Sequence, residues 1–491
     1  MVAYWQEYKV ADGLLVELSV ENLVREQFNR LEEIYPEAYH LLCRMGCYRH
    51  QKVPTVPTEG LSCLLWDVPE SRRKKVIESL RNRSLVECQQ GEYWLHPVIL
   101  VDATSRLRAS EDWETANRKA ADFWKNSFER ILNIKNVNLA FEAYYHYVAI
   151  EDFESSIELI FHNYLTNDFS VDFEETLGAL SLRLGLNHEL IYIINRVIDK
   201  IYNFYYLSEL YLLLGMCHYN LGNLRQSMKY QEESKQLAFE YLDNKLFEDK
   251  NHLFYRLKRL KIVTLTNNFS CLIDLGEVEI KLGEVEIQKL SQNLEECLLT
   301  TELLISESEE TFLSLHLFLC SALAVLKALT GFKEDAYYLA KRAEVEILSI
   351  RERSWDKKCK LLHLGMAYKF LGEIDKSFEM YDKLISCLND NPHERFKGKA
   401  LTGLAELYRL QLDFETALSH HAESIEILDK LGAKCDLAEA YYQRGLTHQA
   451  MGNSSNSLAD FQEAIRLYED MEAPKQVAKV RQAMDNNNQT S

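Results

Sequence analysis

Leu361-Leu362-His363-Leu364-Gly365-Met366-Ala367-Tyr368 opens a pattern that continues through Gly372, Ser377 and Tyr381 and then returns twice. The second copy carries Leu401, Leu404, Ala405, Tyr408, Asp413, Phe414 and Ala417, and the third Tyr441, Gly445, His448, Gly452, Ser457, Phe461 and Ala464. The copies fall about forty residues apart within Lys357 to Glu469, the kind of period that marks a repeat architecture. Each is an apolar stripe at helical spacing, a polar or Gly-containing turn, and a second stripe, which is the pattern of a helical hairpin. Neither helix can bury its stripe alone. Gly365, Ala405 and Gly445 stand where the first helix must approach its partner closely, and Ser377, Ala417 and Ser457 occupy the matching point on the second. Stacked hairpins, and hence a mainly α solenoid, are expected.

This alternation of large, small and aromatic residues resembles the tetratricopeptide repeat, with a period nearer forty than 34 and so room for an extra helical turn in each hairpin. The resemblance implies a superhelix in which the first helix of each hairpin lines a concave surface that binds a protein or peptide. By phase, that surface would carry Tyr145, Tyr219, Met366, Lys369, Arg409, Tyr442 and Gln449. Aromatic, Met and Arg side chains are what such surfaces use. The Lys/Asn carboxylate clamp of chaperone-binding members is not matched, because Thr402 and Glu406 hold the corresponding places in one repeat and Tyr442 and Leu446 in the next.

Earlier copies are less regular. Tyr144, Tyr147, Asp152, Phe153 and Ser156 fit one; Gly178, Leu182, Gly185 and Leu190 a second; Leu214, Gly215, Tyr219, Gly222, Ser227 and Tyr230 a third. Phase is lost between Phe247 and Ile305, where Gly276-Glu277-Val278-Glu279-Ile280 is nearly duplicated from Gly283 onward, and it returns at Leu323 and Ala324. That interval reads as one degenerate hairpin with a slipped loop, or else as a hinge between two sub-solenoids. Pro474 to Met484 supplies a last helix to cover the open end.

At 491 residues the chain exceeds one compact core, a limit that stacked repeats escape. Its 56 basic and 75 acidic residues give a net charge of −19, which argues against coating nucleic acid or anionic lipid and favours basic or neutral partners. Eleven scattered cysteines without a CxxC pair fit a reducing compartment, and no secretory leader or spanning segment is evident, so a cytoplasmic protein is expected.

Five of the seven prolines precede residue 98. The punctuated first hundred residues therefore read as a separate domain. Ser19 is positioned to cap a first helix, Pro36 opens a second, and Pro69 starts another with the stripe Val76, Ile77 and Leu80. Ser84 to Cys88 and Glu92 to Leu95 then form a hairpin with Gly91 at the turn, which completes a winged-helix order. The expected organisation is a small winged-helix domain over residues 1–108, a connecting helix over 109–136 within which Ser110 to Ile134 is helical, an α-helical solenoid with capping helix over 137–484, and a disordered tail over 485–491.

Val76-Ile77-Glu78-Ser79-Leu80, Arg83-Ser84-Leu85-Val86 and Tyr93-Trp94-Leu95-His96-Pro97 resemble the winged-helix segment of signal-transduction NTPases with numerous domains, the STAND class, whose sensors often end in tetratricopeptide arrays. By position His96 matches the phosphate-sensing histidine of that family, with Leu95 and Pro97 in place of its Met and Asp. No Gly-x4-Gly-Lys-Ser/Thr loop occurs, so the nucleotide domain is missing and a separate P-loop NTPase becomes a candidate partner.

Three further clusters bear on possible chemistry. Arg72-Arg73-Lys74-Lys75 begins the helix that would read DNA in a winged-helix regulator, but Glu70 and Glu78 flank it. His40, Cys43, Cys47 and His50 have the spacing HxxCxxxCxxH, outside the usual zinc patterns. Adjacent acids such as Glu32-Glu33 point to different helix faces. No catalytic residues, metal or cofactor are expected, and the chain reads as a non-enzymatic interaction scaffold. The alternatives are a peptide-responsive winged-helix transcription regulator and the sensor half of a split STAND NTPase.

Overall fold

A computed structural model describes residues 13–128, 133–161, 176–244, 252–274, 284–305, 309–347, 355–388 and 395–490. It divides into two compact units, Met1–Asp168 and Phe169–Ser491.

The first unit opens with α1 (Gly13–Ile34) and α2 (Pro36–Arg44), separated at Tyr35 because Pro36 cannot continue the preceding helix but suits the first turn of the next. The first helix begins before Ser19, so that serine lies inside it. Strand β1 (Val56–Pro57), α3 (Thr58–Cys63), α4 (Glu70–Asn82), β2 (Glu87–Gln89), β3 (Glu92–Trp94) and α5 (Pro97–Arg108) follow. β3 lies between β1 and β2 and runs antiparallel to both, with Tyr93 opposite Val56 on one side and Cys88 on the other. Gln90 (φ +54°) and Gly91 (φ +84°) make the two-residue turn, both left-handed as a tight hairpin demands. Val76, Ile77 and Leu80 of α4 are buried.

Next come α6 (Asp112–Asn126), α7 (Ile134–Ala149) and α8 (Phe153–Phe161). The single helix expected over Ser110 to Ile134 is therefore cut short. Asn133 explains the new start, since its side chain accepts from the Asn136 amide at 3.1 Å and caps α7. Arg44 ties α6 to the earlier elements. Its buried guanidinium meets both Asp67 oxygens at 2.6 and 2.7 Å, Asp112 at 2.8 Å and the Leu64 carbonyl at 2.9 Å, and lies over Trp66.

The second unit is a succession of helices: α9 (Leu177–Arg183), α10 (Asn187–Val197), α11 (Phe204–Asn220), α12 (Leu224–Asn244), α13 (His252–Asp274), α14 (Glu284–Ile305), α15 (Glu309–Leu329), α16 (Lys333–Ile347), α17 (Trp355–Leu371), α18 (Ile374–Ser386), α19 (Arg395–Leu410), α20 (Phe414–Leu431), α21 (Lys434–Ala450), α22 (Ser454–Asp470) and α23 (Pro474–Thr490). The interval where phase was lost holds α13 and α14, two long helices; the first half of its duplication lies outside the described residues. α23 extends to Thr490 and takes in most of the expected tail, because the Asn/Gln run there contains no Pro or Gly to end it.

The small positions act as the repeat predicts. A Cβ at Gly365 would lie 2.5 Å from the Tyr381 ring, and one at Gly445 2.6 Å from Phe461. Ser377 and Ser227 donate to the carbonyls of Gly365 and Gly215, each at 2.7 Å, so the serine both fits the close contact and fastens it. Ala417 is fully buried. The turns inside the hairpins pass through left-handed backbone, at Gly452 with φ +77° and at Leu412 with φ +65°. Among the described residues no helix is long and apolar enough to cross a membrane.

Candidate functional site

Four helices at the carboxy-terminal end of the second unit surround a cavity of about 110 Å³. Three are the first helices of successive hairpins, α17, α19 and α21, and the fourth is α23. Helical phase explains the gathering: the faces turned away from each hairpin partner converge. Leu362, Met366 and Phe370 of α17 and Cys435 of α21 supply apolar wall, while Tyr381 of α18 and Tyr468 of α22 reach in from second helices. The remainder is charged.

Lys369 Nζ meets Glu406 Oε2 at 2.6 Å, and Arg409 lies 3.9 Å from the other oxygen of Glu406. Burial opposes the Lys369 charge, yet the Glu406 carboxylate outweighs it and lifts the lysine above its ordinary pKa. Asp436, 5% exposed, accepts from Arg395 at Oδ2 and pairs with Lys399 at Oδ1 across 3.0 Å. Burial would raise its pKa, but the two cations hold it below the usual carboxylate range. Glu439 accepts from Tyr468 at 2.9 Å and from Gln443 at 2.7 Å. It too is held low against burial, chiefly by Lys479. The lining thus carries Lys369, Lys399 and Lys479 against Glu406, Asp436 and Glu439, a balanced set with lysines on α17 and α23, acids on α21 and one of each on α19.

Of the residues expected on a concave surface, Met366 and Lys369 line the cavity. Arg409 donates to Gln443 at 2.9 Å, Gln449 donates to the Ala483 carbonyl at 3.2 Å, and Tyr442 is buried with Lys479 5.0 Å from its ring centre. Arg409 thus joins α19 to α21, and Tyr442 and Gln449 join α21 to the final helix α23. Tyr145 belongs to the first unit, where the Arg49 guanidinium covers its ring at 3.4 Å. Tyr219 on α11 meets Arg395 on α19, whose guanidinium lies 4.1 Å from the ring centre. Lys399, Glu406, Asp436, Glu439 and Lys479 were missed by sequence reasoning. A signal existed, because Lys399, Glu439 and Lys479 recur at the forty-residue period with alternating charge.

The basic run on α4 is partly committed. Arg72 pairs with Glu37 at 2.9 Å and Arg73 donates to the Val68 carbonyl at 3.0 Å, while Lys74 and Lys75 are exposed. His96 accepts from the Val98 amide at 3.4 Å, at the start of α5. Burial pushes the Cys43 thiol up to about 12, and Cys47 is buried as well; among the described residues no His, Cys, Asp or Glu group is arranged to hold a metal ion.

Models of the tetratricopeptide repeat match residues 396–470 and, separately, 208–241 and 361–386. The chain carries tetratricopeptide repeats. The cavity lies at the end of this array where the match is longest. Among solved structures, the chain is similar to a signal transduction ATPase with numerous domains bearing a tetratricopeptide repeat sensor, from Pyrococcus horikoshii, with 12% identity and a TM-score of 0.55. That likeness covers 95% of this chain and 65% of that protein, so the chain spans just under two thirds of its length. A Rap protein complexed with competence and sporulation factor matches over 76% of this chain and 96% of its own, with 12% identity and a TM-score of 0.43. A tetratricopeptide repeat protein from Parabacteroides merdae matches over 70% and 98%, with 16% identity and a TM-score of 0.29. No curated protein matches the sequence. An α solenoid of tetratricopeptide repeats is a protein-interaction scaffold by its architecture.

Proposed function

We propose that the chain binds a peptide or an extended protein segment in the cavity bounded by α17, α19, α21 and α23, as a non-enzymatic scaffold in signalling or regulation. The carrying observation is the cavity itself: an apolar wall of Leu362, Met366 and Phe370 facing a balanced set of ionised side chains, the mixture that anchors one apolar side chain and orients the polar groups beside it. The test is affinity purification of the intact chain from its native extract beside a Met366→Asp/Phe370→Asp variant. A partner retained by the wild type and lost with the variant supports the reading. A partner set indifferent to the variant overturns it.

A second reading rests on the likeness to the Pyrococcus horikoshii ATPase along 95% of this chain. In it the first unit carries a winged helix and the chain is the sensor half of a split nucleotide switch, with a separate P-loop NTPase as partner. Purification of residues 1–168 as bait decides it: a retained P-loop ATPase supports the split switch, and its absence removes that reading. The exposed Lys74 and Lys75 leave a third, weaker reading as a DNA-binding regulator, which requires duplex affinity that falls with salt.

A further inference from the structure

Three hydroxyl groups belong to the cavity wall, those of Tyr381, Thr402 and Tyr468. Thr402 shares a hydrogen bond with Ser424 at 2.8 Å, and Tyr468 donates to Glu439 at 2.9 Å. Tyr381 is 1% exposed, and its hydroxyl has no hydrogen-bond partner among the described residues. A buried hydroxyl without a protein partner is costly, so its presence asks for a reason.

Packing is not that reason. Tyr381 comes from α18, a second helix, and its ring passes between two first helices because each offers a glycine. A Cβ at Gly365 of α17 would lie 2.5 Å from Tyr381 Cε1, and one at Gly403 of α19 would lie 2.5 Å from Cζ and 2.8 Å from the hydroxyl oxygen. Gly403 is itself part of the cavity wall, so the ring delivers its hydroxyl there. The matching position of the third copy is Phe461, and a Cβ at Gly445 would lie 2.6 Å from that ring. A phenylalanine therefore fills this helix contact, and the hydroxyl of Tyr381 is spare to it. Burial pushes the pKa of that hydroxyl up to about 12, which keeps it a neutral O–H that both donates and accepts.

The charges that act on this hydroxyl are those of Lys369, Glu406 and Lys399. Lys369 has three N–H donors and Glu406 about four acceptor sites, more than their mutual hydrogen bond uses. Their charges are nevertheless already matched, as are those of Asp436 with Lys399 and Arg395. A charged tip would enter with no opposite charge left for it, and an apolar tip would leave Tyr381 unanswered. A primary carboxamide brings two donors and an acceptor without charge, and glutamine carries it on a methylene stem that suits the wall of Leu362, Met366 and Phe370. At about 110 Å³ the cavity is smaller than a small-molecule site and takes one side chain.

We infer that the cavity takes a glutamine side chain of its peptide, with the carboxamide hydrogen-bonded to Tyr381 Oη and seated beside Lys369 and Glu406. This rests on the cavity being the peptide site.

The test selects binders to the full chain from a random linear-peptide phage library at neutral pH. Affinities of the synthesised peptides are measured by calorimetry for the wild type, for Tyr381→Phe, and for Met366→Asp and Met366→Trp. Peptides that lose affinity with the Met366 variants are expected to share a glutamine, whose replacement by glutamate, lysine or methionine weakens binding about tenfold. Tyr381→Phe should weaken the glutamine peptide to a similar degree and leave its methionine version unchanged, a coupling that a merely structural hydroxyl would not produce. That variant keeps the ring between the two glycines, so its result stands whether or not the Met366 variants fold. Cavity-dependent peptides whose critical residue is charged or apolar, or whose affinity ignores Tyr381→Phe, overturn the glutamine and leave the cavity as a peptide site. Selection that yields no peptide, or only peptides indifferent to the Met366 variants, overturns the cavity as a peptide site and the inference with it.

Discussion

Lys369 on α17 and Glu406 on α19 form an ion pair of 2.6 Å between the first helices of two consecutive repeats, with each side chain less than one-fifth exposed. Pairs of this kind recur between the first helices of the second unit: Arg259 of α13 meets Glu209 of α11, and Lys399 and Arg395 of α19 meet Asp436 of α21. They fix how one hairpin is set against the next. A buried pair is a demanding device, because removing one partner leaves the other charged and dehydrated. Glu406→Gln should therefore cost about 2–3 kcal/mol, toward the low side because both groups retain some water contact. Lys369→Met with Glu406→Leu should recover most of it. Urea midpoints of the wild type and the two variants check this, and a double variant no better than the single would mean that the pair contributes attraction rather than register.

Leu412 adopts φ +65° in the turn between α19 and α20, where the equivalent turn between α21 and α22 uses Gly452. The left-handed region costs an L-residue about 1–2 kcal/mol, and the leucine side chain is 72% exposed, so little packing offsets that cost. Leu412→Gly loses some unfolded-state advantage but removes the strain, and should stabilise the array by about 0.5–1 kcal/mol. A lower melting temperature in the glycine variant would show that the leucine is held by a contact.

His363 and His421 lie buried in the second unit, and burial, aided by Lys399 and by Arg409 respectively, drives each pKa down to about 3. A histidine whose pKa falls on folding is kept neutral by the fold. Its contribution is complete above the unfolded value near 6.5 and drains as pH falls from there toward 3, by about 1.4 kcal/mol per pH unit for each site. Urea midpoints should accordingly drop between pH 7 and pH 5. In His421→Gln the drop should be shallower, and an identical slope would assign the acid sensitivity to other groups.

Glu142 on α7 has the opposite sign. It is 2% exposed, its Oε1 is 3.9 Å from Arg49, and burial raises its pKa to about 7 despite that guanidinium. The fold favours the protonated acid, so stability in the first unit is present below about 4.5 and is lost as pH rises toward 7. Glu142→Gln should raise the melting temperature of that unit at pH 8 and change it little at pH 4.5. The reverse ordering would mean that the Arg49 attraction outweighs dehydration.

The repeat was legible because its signals are local. Gly365, Ser377, Tyr381 and their counterparts specify a helix, a turn and a close helix contact within forty residues, and the structure uses each for that purpose. Boundaries were less secure. Asn133 starts α7 through a side-chain cap three residues long, a signal easily read as one more polar residue in a continuous helix. The charged lining of the cavity was harder still. Helical phase places Met366 and Lys369, but that Arg409, Tyr442 and Gln449 join neighbouring helices depends on the distance between hairpins, which no single repeat encodes.

The sequence alone determined that this chain is a stack of helical hairpins, since apolar period, small contact residues and turn residues all act over short separations. Tertiary structure alone decided which polar faces meet. Asp436 is in itself an acid near the start of a helix; it becomes a shared partner of Lys399 and Arg395 only when α19 and α21 pack, and it is linked to Tyr219 only because the array curves far enough to bring α11 back against α21. That curvature is the sum of small rotations between successive hairpins, so it is a property of the whole array and not of any one stretch within it.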